Sequence, residues 1–365
     1  MKILLAVNHE LTLYNFRQEF IKELIDLGHE VLISMPRGKY DELFESFGCR
    51  IIETNISQHG MNPVQEYQLF CQYLKIIKTN DPDFIYTYTI KPNIYAGLAA
   101  SKLKVPYAAT ITGLGATFEK GSLVSAIALI FYRIAFMKAK CVFFQNSSHE
   151  ELFSKNKIAL GKHCIVNGSG VNLEKNCFEE YPTSKGFRFL FVGRVTKDKG
   201  VFELIKAFRM IKQEEENAEV SLELLGNVEC DCIDIVNQSM TDGLLVSYGM
   251  HNNVHDYIKK SHAVVLPSYH EGMANSLLEA AATGRPILAS YIPGCKEAID
   301  DGVSGICFES KSVDALKKAL EEFIRLPWEA RATMGKNGRV KMENEFDRKT
   351  INEKYLQILK DHLEF

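Results

Sequence analysis

A strand-first alternation of apolar and amphipathic segments runs along this chain twice, and that repetition constrains the fold more than any single motif. Residues 2–7 form an apolar run of strand length; residues 15–27 place Phe16, Phe20, Ile21 and Leu24 on one helical face and stop at Gly28; residues 31–35 give the next strand. Residues 84–87, 107–112 and 141–145 read as further strands, with a helix over 93–103. Strands that alternate with helices require crossovers, which predicts a parallel sheet wound right-handedly. A polar stretch, 173–185, carries Pro182 and Ser184 and reads as a linker. The pattern then restarts with a strand over 187–192 ending at Gly193, a helix over 200–212, a strand over 220–225 ending at Gly226, and strands at 246–248, 263–266, 287–289 and 306–308. At 365 residues the chain exceeds one ordinary core. The expectation is an α/β protein with two parallel-sheet domains, residues 1–175 and 186–345, and a last helix over 348–363.

The most chemically pointed stretch is 268–286. The buried strand 263–266 ends in Pro267 and Ser268; a short loop follows, then a small-residue helix that stops at Gly284 and Pro286. Glu271 and Glu279 flank that loop with seven residues between them. Glu271 falls just past a strand, where open α/β sheets bind ligands, and Glu279 falls one to two turns into a helix whose start attracts anions. Two acids and a positive helix end around one loop suit a ligand that carries both hydroxyls and phosphates. In the segment 193–200, Gly193 and Gly200 permit tight turns, and Arg194 and Lys199 offer a guanidinium fork and a compact ammonium to a diphosphate.

These residues resemble the E-x7-E signature of the retaining glycosyltransferases of family four, whose fold is GT-B. The match extends to Glu271-Gly272, to Leu278-Glu279-Ala280, to Gly284-Arg285-Pro286 and to Pro293-Gly294-Cys295-Lys296-Glu297, and the segment 193–200 resembles the family's G-R-x-x-x-x-K-G. The resemblance implies two facing Rossmann-like domains, with the final helix crossing back to the first. It implies that the second domain holds a UDP-sugar. Arg194 and Lys199 would neutralise the departing diphosphate, Glu271 would approach the donor sugar and Glu279 the ribose hydroxyls. Gly193, Gly226, Met250 and the loop and helix start Gly272, Met273, Ala274, Asn275 and Ser276 would line the donor site. Transfer would occur with retention at the anomeric carbon, and closure of the domains would exclude water.

The first half presents its own candidates after strand ends: Asn8, Asn15, Arg17, Lys91, Asn93, Thr112 and Gly113. The combination Asn15-Phe16-Arg17, the run 89–93 and the run 110–115 resembles a bacterial subgroup that builds capsule, O-antigen and oligosaccharide on polyprenyl diphosphate, so these residues would bind a lipid-linked saccharide acceptor. Many relatives carry a His before the glycine of the third segment; Thr112 stands there in this chain. His9, His59 and His149 are off that position and read as loop or helix residues.

Other classes fit less well. A net charge of -3 supplies no basic field for nucleic acid. The amino-terminal residues lack the basic and cleavage features of a signal peptide, which speaks against a periplasmic binding protein. Nine scattered cysteines point to reduced thiols and a cytoplasmic location, and Cys230 and Cys232 lack a second pair at zinc spacing. No metal or other cofactor is expected: the one D-x-D string, Asp81-Pro82-Asp83, precedes a strand instead of following it. The apolar run 123–137 is short for a membrane span and contains Arg133; it reads as a buried helix or, with Lys138 and Lys140, as a basic-ended surface against the inner membrane leaflet. A UDP-sugar epimerase of the same fold, a transferase with a soluble acceptor such as glycogen synthase, and a non-catalytic UDP-sugar binder are the alternatives.

Overall fold

The computed structural model describes residues 1–57, 62–114, 123–214 and 219–363. The chain divides into two compact units, Met1–Ser169 with Ile351–Phe365, and Gly170–Thr350.

The first unit is a parallel sheet of seven strands: β1 (Lys2–Ala6), β2 (Glu30–Met35), β3 (Arg50–Glu53), β4 (Phe84–Tyr88), β5 (Tyr107–Ile111), β6 (Cys141–Phe144) and β7 (His163–Ile165). Their spatial order is β3-β2-β1-β4-β5-β6-β7, so the winding reverses between β1 and β4. Both faces of the sheet are covered, which is why Ile3, Leu4, Leu5 and Ala6 are all solvent-free and the strand reads as an unbroken apolar run. The helix expected over 15–27 is two, α1 (Glu10–Phe16) and α2 (Gln18–Asp26). His9 caps α1 by accepting from the Leu11 amide at 3.1 Å, and Arg17, at φ −135, breaks the helical path between the two. Three further helices complete the middle of this unit: α3 (Asp41–Ser46), α4 (Pro63–Asn80) and α5 (Ile90–Leu103). Asp81 and Asp83 sit at the start of β4, where Asp83 accepts from the Lys2 amide at 2.7 Å and ties β4 to β1.

Helices α6 (Leu123–Phe136) and α7 (Ser147–Lys155) flank β6. Helix α6 is two-sided. Tyr132, Ala135 and Phe136 are buried, while Ile127, Ile130, Phe131 and Ile134 are exposed, with Met137 just beyond the helix 67% exposed. Among the described residues no helix is long and apolar enough to cross a membrane.

The second unit is a six-stranded parallel sheet of β8 (Phe187–Val192), β9 (Val220–Leu225), β10 (Leu245–Ser247), β11 (Ala263–Leu266), β12 (Ile287–Ser290) and β13 (Gly305–Phe308). Its order is β10-β9-β8-β11-β12-β13, with the reversal between β8 and β11. Around it lie α8 (Val201–Glu214), α9 (Ile233–Thr241), α10 (His255–Ile258), α11 (Asn275–Ala282), α12 (Val313–Arg325) and α13 (Trp328–Glu345).

The stretch 173–185 is not a free linker but part of the second unit. Buried Arg285 donates to the carbonyls of Glu179 and Glu180 at 2.8 and 2.9 Å, and the Glu179 amide donates to Thr283 at 3.1 Å. The final helix, α14 (Arg348–Leu363), has the predicted bounds. Tyr355 on it is solvent-free, stacks on Phe143 at 4.0 Å and receives the Tyr86 hydroxyl on its carbonyl at 2.7 Å.

Candidate active site

In the second unit the strand ends at the reversal point carry the charged residues, as doubly wound sheets arrange them. A single turn of 3-10 helix, Lys197–Lys199, follows β8 and is closed by Gly200 at φ 71. A Cβ at Gly200 would lie 2.1 Å from the Pro267 carbonyl at the end of β11, so only glycine lets the two strand ends approach this closely. That approach brings the Lys199 ammonium to 2.5 Å from Glu271 Oε1, with both side chains mostly shielded at 16% and 13% exposure. Ser268 donates to the same oxygen at 2.8 Å. Beneath the loop, burial and the Glu271 charge push the Cys295 thiol well up.

The loop itself is tied from behind. The Ala274 amide donates to the Gly294 carbonyl at 2.8 Å, and the Gly294 amide donates to Glu297 Oε2 at 2.7 Å. Gly294, at φ 84, is packed so that a Cβ would meet the Glu271 carbonyl at 2.7 Å. Helix α11 then starts at Asn275 with no side-chain cap from Ala274; the Leu277 and Leu278 amides turn back to the Ala274 carbonyl at 3.0 and 3.3 Å, and the helix's positive end is left to an outside anion. Asn275 donates from its side-chain amide to the Met273 carbonyl at 3.2 Å, and its buried Oδ1 has no hydrogen-bond partner.

Glu279 lies further along α11, half-buried. Burial raises its carboxyl above the ordinary 4.5, and Lys175 and Arg348 pull in the opposite direction. Arg194 is exposed directly after Gly193. The ends of β8, β9 and β10 are laced together: the Gly193 amide donates to Leu225 at 3.0 Å and the Gly226 amide to Gly249 at 2.8 Å. Met250, 74% exposed, stands at the far end of this row. Sequence reading missed Asp198 and His270, which pair at 3.6 Å beside Lys199. Burial works against the Asp198 carboxylate, yet the Thr196 hydroxyl, Lys199, His270 and Arg194 together hold it below its usual range.

The first unit corrects several expectations. Arg17 is 1% exposed; its guanidinium lies over the rings of Tyr355 and Tyr88 at 4.8 and 5.2 Å and donates to the Tyr355 hydroxyl at 3.0 Å. It holds α14 in place and presents no cation to solvent. Asn93 is equally buried; it accepts from Thr87 at 2.7 Å and donates to the Thr110 carbonyl at 2.8 Å, so it fastens the ends of β4 and β5. Lys91 is paired with Glu66 at 2.6 Å. That pair forms one wall of a cavity of about 510 Å³ at the C-terminal ends of β2 and β3, lined by polar Asn55, Ser57, Gln65 and Gln72 and by apolar Pro36, Ile56 and Leu69. Glu66 lies on α4, an element the sequence reading did not include. Asn8 and Thr112 are half-buried at the ends of β1 and β5, Gly113 follows Thr112, and Asn15 is exposed on α1. Gly115 and His59 lie outside the described residues.

The chain's relatives carry the same two-part plan. Residues 174–341 match the family described as "Glycosyl transferases group 1", and residues 2–146 match "Glycosyl transferase 4-like". The chain belongs to the family-four glycosyltransferases of GT-B fold, and it is a glycosyltransferase. It is 28% identical, over 95% of each chain, to the N,N'-diacetylbacillosaminyl-diphospho-undecaprenol alpha-1,3-N-acetylgalactosaminyltransferase of Campylobacter jejuni. It is 25% identical, over 70% of each chain, to the Escherichia coli UDP-Gal:alpha-D-GlcNAc-diphosphoundecaprenol alpha-1,3-galactosyltransferase. HepE of Anabaena, solved with UDP, superposes with a TM-score of 0.81 over 99% of this chain and 100% of its own, at 17% identity.

Proposed function

We propose that the protein transfers a hexose or N-acetylhexosamine from a UDP-sugar to a saccharide carried on polyprenyl diphosphate, with retention at the anomeric carbon, in the assembly of a surface polysaccharide. The observation that carries this is the shielded Lys199–Glu271 contact at the reversal of the second sheet, beside an uncapped helix start. The lipid-linked acceptors named for two relatives and the UDP bound by HepE support the choice of substrates.

The sugar's bond to the diphosphate breaks first, leaving an oxocarbenium-like sugar and a diphosphate with one more negative charge. Lys199, Arg194 and the positive end of α11 meet that charge without a metal. Glu271, held by Lys199 and Ser268, accepts from hydroxyls of the donor sugar and fixes the sugar against the charged cluster. The acceptor hydroxyl attacks the face the diphosphate leaves, and its proton passes to the departing oxygen, so no protein base is required. Glu279 holds the ribose hydroxyls. In the first unit the cavity beside Lys91 and Glu66 offers donors and acceptors from Asn55, Gln65 and Gln72 to acceptor sugar hydroxyls and an apolar side to their ring faces. The exposed apolar row of α6, with Arg133, Lys138 and Lys140, rests on the anionic inner face of the membrane where a polyprenyl carrier resides.

The test is UDP release by the purified protein over a panel of UDP-sugars, with and without polyprenyl-diphosphate saccharides. Release that requires both substrates, and that falls about 10²-fold or more in Arg194→Ala, is expected. Conversion of the UDP-sugar with no acceptor added would establish an epimerase instead, and tight UDP-sugar binding with no turnover would establish a binding protein.

A further inference from the structure

Away from the charged loop, the second unit brings together three side chains that the transfer reaction does not use. Cys177 and Glu179 lie on the strap that leads into this unit, and His255 is the first residue of α10. Cys177 Sγ is 3.6 Å from His255 Nε2 and 3.9 Å from Glu179 Oε1, and His255 Nε2 is 3.3 Å from Glu179 Oε1. A zinc ion has bonds of about 2.3 Å to thiolate sulfur and about 2.0–2.2 Å to imidazole nitrogen and carboxylate oxygen; tetrahedral angles then set the donor atoms about 3.4–3.6 Å apart. The three observed separations bracket that spacing.

The protons agree with the distances. Thr283 has a single hydroxyl proton, and it is donated to the Glu279 carbonyl at 2.8 Å. Toward His255 Nδ1, 3.2 Å away, the Thr283 oxygen can therefore only accept. Nδ1 then donates to Thr283, and any proton on Nε2 is displaced when a metal binds, which frees that nitrogen's lone pair toward the thiol and the carboxylate. A ring nitrogen fixed by an N–H bond to an outer oxygen is the arrangement protein metal sites use. The backbone is held as well: Glu179 is clamped at its amide by Thr283 and at its carbonyl by Arg285. The nearby Lys259 ammonium is engaged by Asp256 at 2.6 Å. Cys177 is exposed and His255 is mostly shielded, which opens the site to solvent on the thiol side.

We infer that Cys177, Glu179 and His255 bind a divalent zinc ion, with water as the fourth ligand. Binding releases the Cys177 proton to solvent and fastens the strap to α10 and to the end of α11. Neither Arg194, Lys199, Glu271 nor Glu279 supplies a ligand, so the inference stands whether or not the proposed transfer is correct.

The experiment uses the full chain, stripped with a chelator and titrated with zinc against a chromophoric competitor, and separately with cobalt as a spectroscopic probe. One equivalent of zinc is expected, with a thiolate-to-cobalt charge-transfer band and visible bands of tetrahedral intensity. Cys177→Ser should lose the charge-transfer band, Glu179→Ala should weaken binding, Thr283→Val should weaken zinc binding about 10- to 100-fold, and Cys71→Ser and Cys230→Ser should leave it unchanged. Zinc should raise the unfolding temperature of the wild type and not of Cys177→Ser. A wild-type cobalt spectrum without the thiolate band, or equal zinc uptake by Cys177→Ser, would overturn the site and leave a plain His255–Glu179 ion pair.

Discussion

The Lys199–Glu271 contact decides what each partner can do. A carboxylate 2.5 Å from an ammonium, both shielded, keeps the lysine pointed into the loop. Glu271→Gln should therefore remove both a contact to the donor sugar and the anchor of the cation, and kcat should fall about 10²-fold or more. Lys199→Arg should not restore activity, because a planar fork does not reproduce a compact ammonium at this distance. Steady-state rates with saturating UDP-sugar check both; retention of wild-type kcat in Glu271→Gln would remove it from the reaction. Glu279 yields a pH prediction. Its carboxyl is raised above 4.5 by burial, so as pH falls it protonates earlier than an ordinary glutamate. The ribose hydroxyls then lose an ionised acceptor, and KM for the UDP-sugar should rise with acid from a pH above the usual carboxylate range. Glu279→Gln should raise KM and abolish that dependence. At this scale the sequence was legible where a motif combined strand end, loop and glycine, as around Glu271. It misled at Arg17 and Asn93, because a polar residue after a strand either faces a ligand or fastens neighbouring elements. What settles its fate is a partner such as Tyr355, 338 positions away from Arg17.

Elements were legible in proportion to how one-sided their burial is. Strands such as β1 and β11, covered on both faces, announce themselves as apolar runs, and α14 begins and ends where its pattern does. The edge strand β3 has only Ile51 fully buried in its four residues, and so short an alternation carries little signal. Helix α6 was ambiguous for a physical reason: it is apolar on the face that packs against the unit and on the face that does not. Ile127, Ile130, Phe131 and Ile134 follow the spacing of one helical stripe, and single exposed apolar residues are common whereas a continuous stripe is not. If the stripe lies on a membrane, the double substitution Ile130→Asp, Ile134→Asp should abolish co-sedimentation with vesicles containing anionic lipid. It should leave the far-ultraviolet circular dichroism unchanged, since both side chains are exposed in the fold. Raised salt should weaken the wild-type interaction by screening Arg133, Lys138 and Lys140. Undiminished sedimentation of the double variant would assign vesicle binding to another surface.

At the scale of the whole chain, two units with separate cores share one liability in acid. His262 in the second unit and His149 in the first are both held neutral by burial, each with its pKa lowered from 6.5 to about 4. For His262 the hydrogen bonding explains why the neutral form is required. The Arg188 amide donates to Nδ1 at 3.1 Å, a bond that a proton on that nitrogen would destroy, and Arg331, Arg188 and Arg285 oppose any added charge. The sign follows from the direction of the shift. Above pH 6.5 the ring is neutral in both folded and unfolded chains and contributes no pH dependence. Between 6.5 and about 4 the unfolded chain binds a proton that the folded chain refuses, so stability falls as pH falls through this window. His262→Asn offers the way to isolate the effect, because Asn Oδ1 can take the place of Nδ1 as acceptor for the Arg188 amide while carrying no titratable group. Wild type and variant should unfold at similar temperatures at pH 7.5, and the variant should lose less stability on titration to pH 4.5, a difference read directly by thermal melts across the range. Parallel losses in the two proteins would show that His262 titrates alike in the folded and unfolded chain.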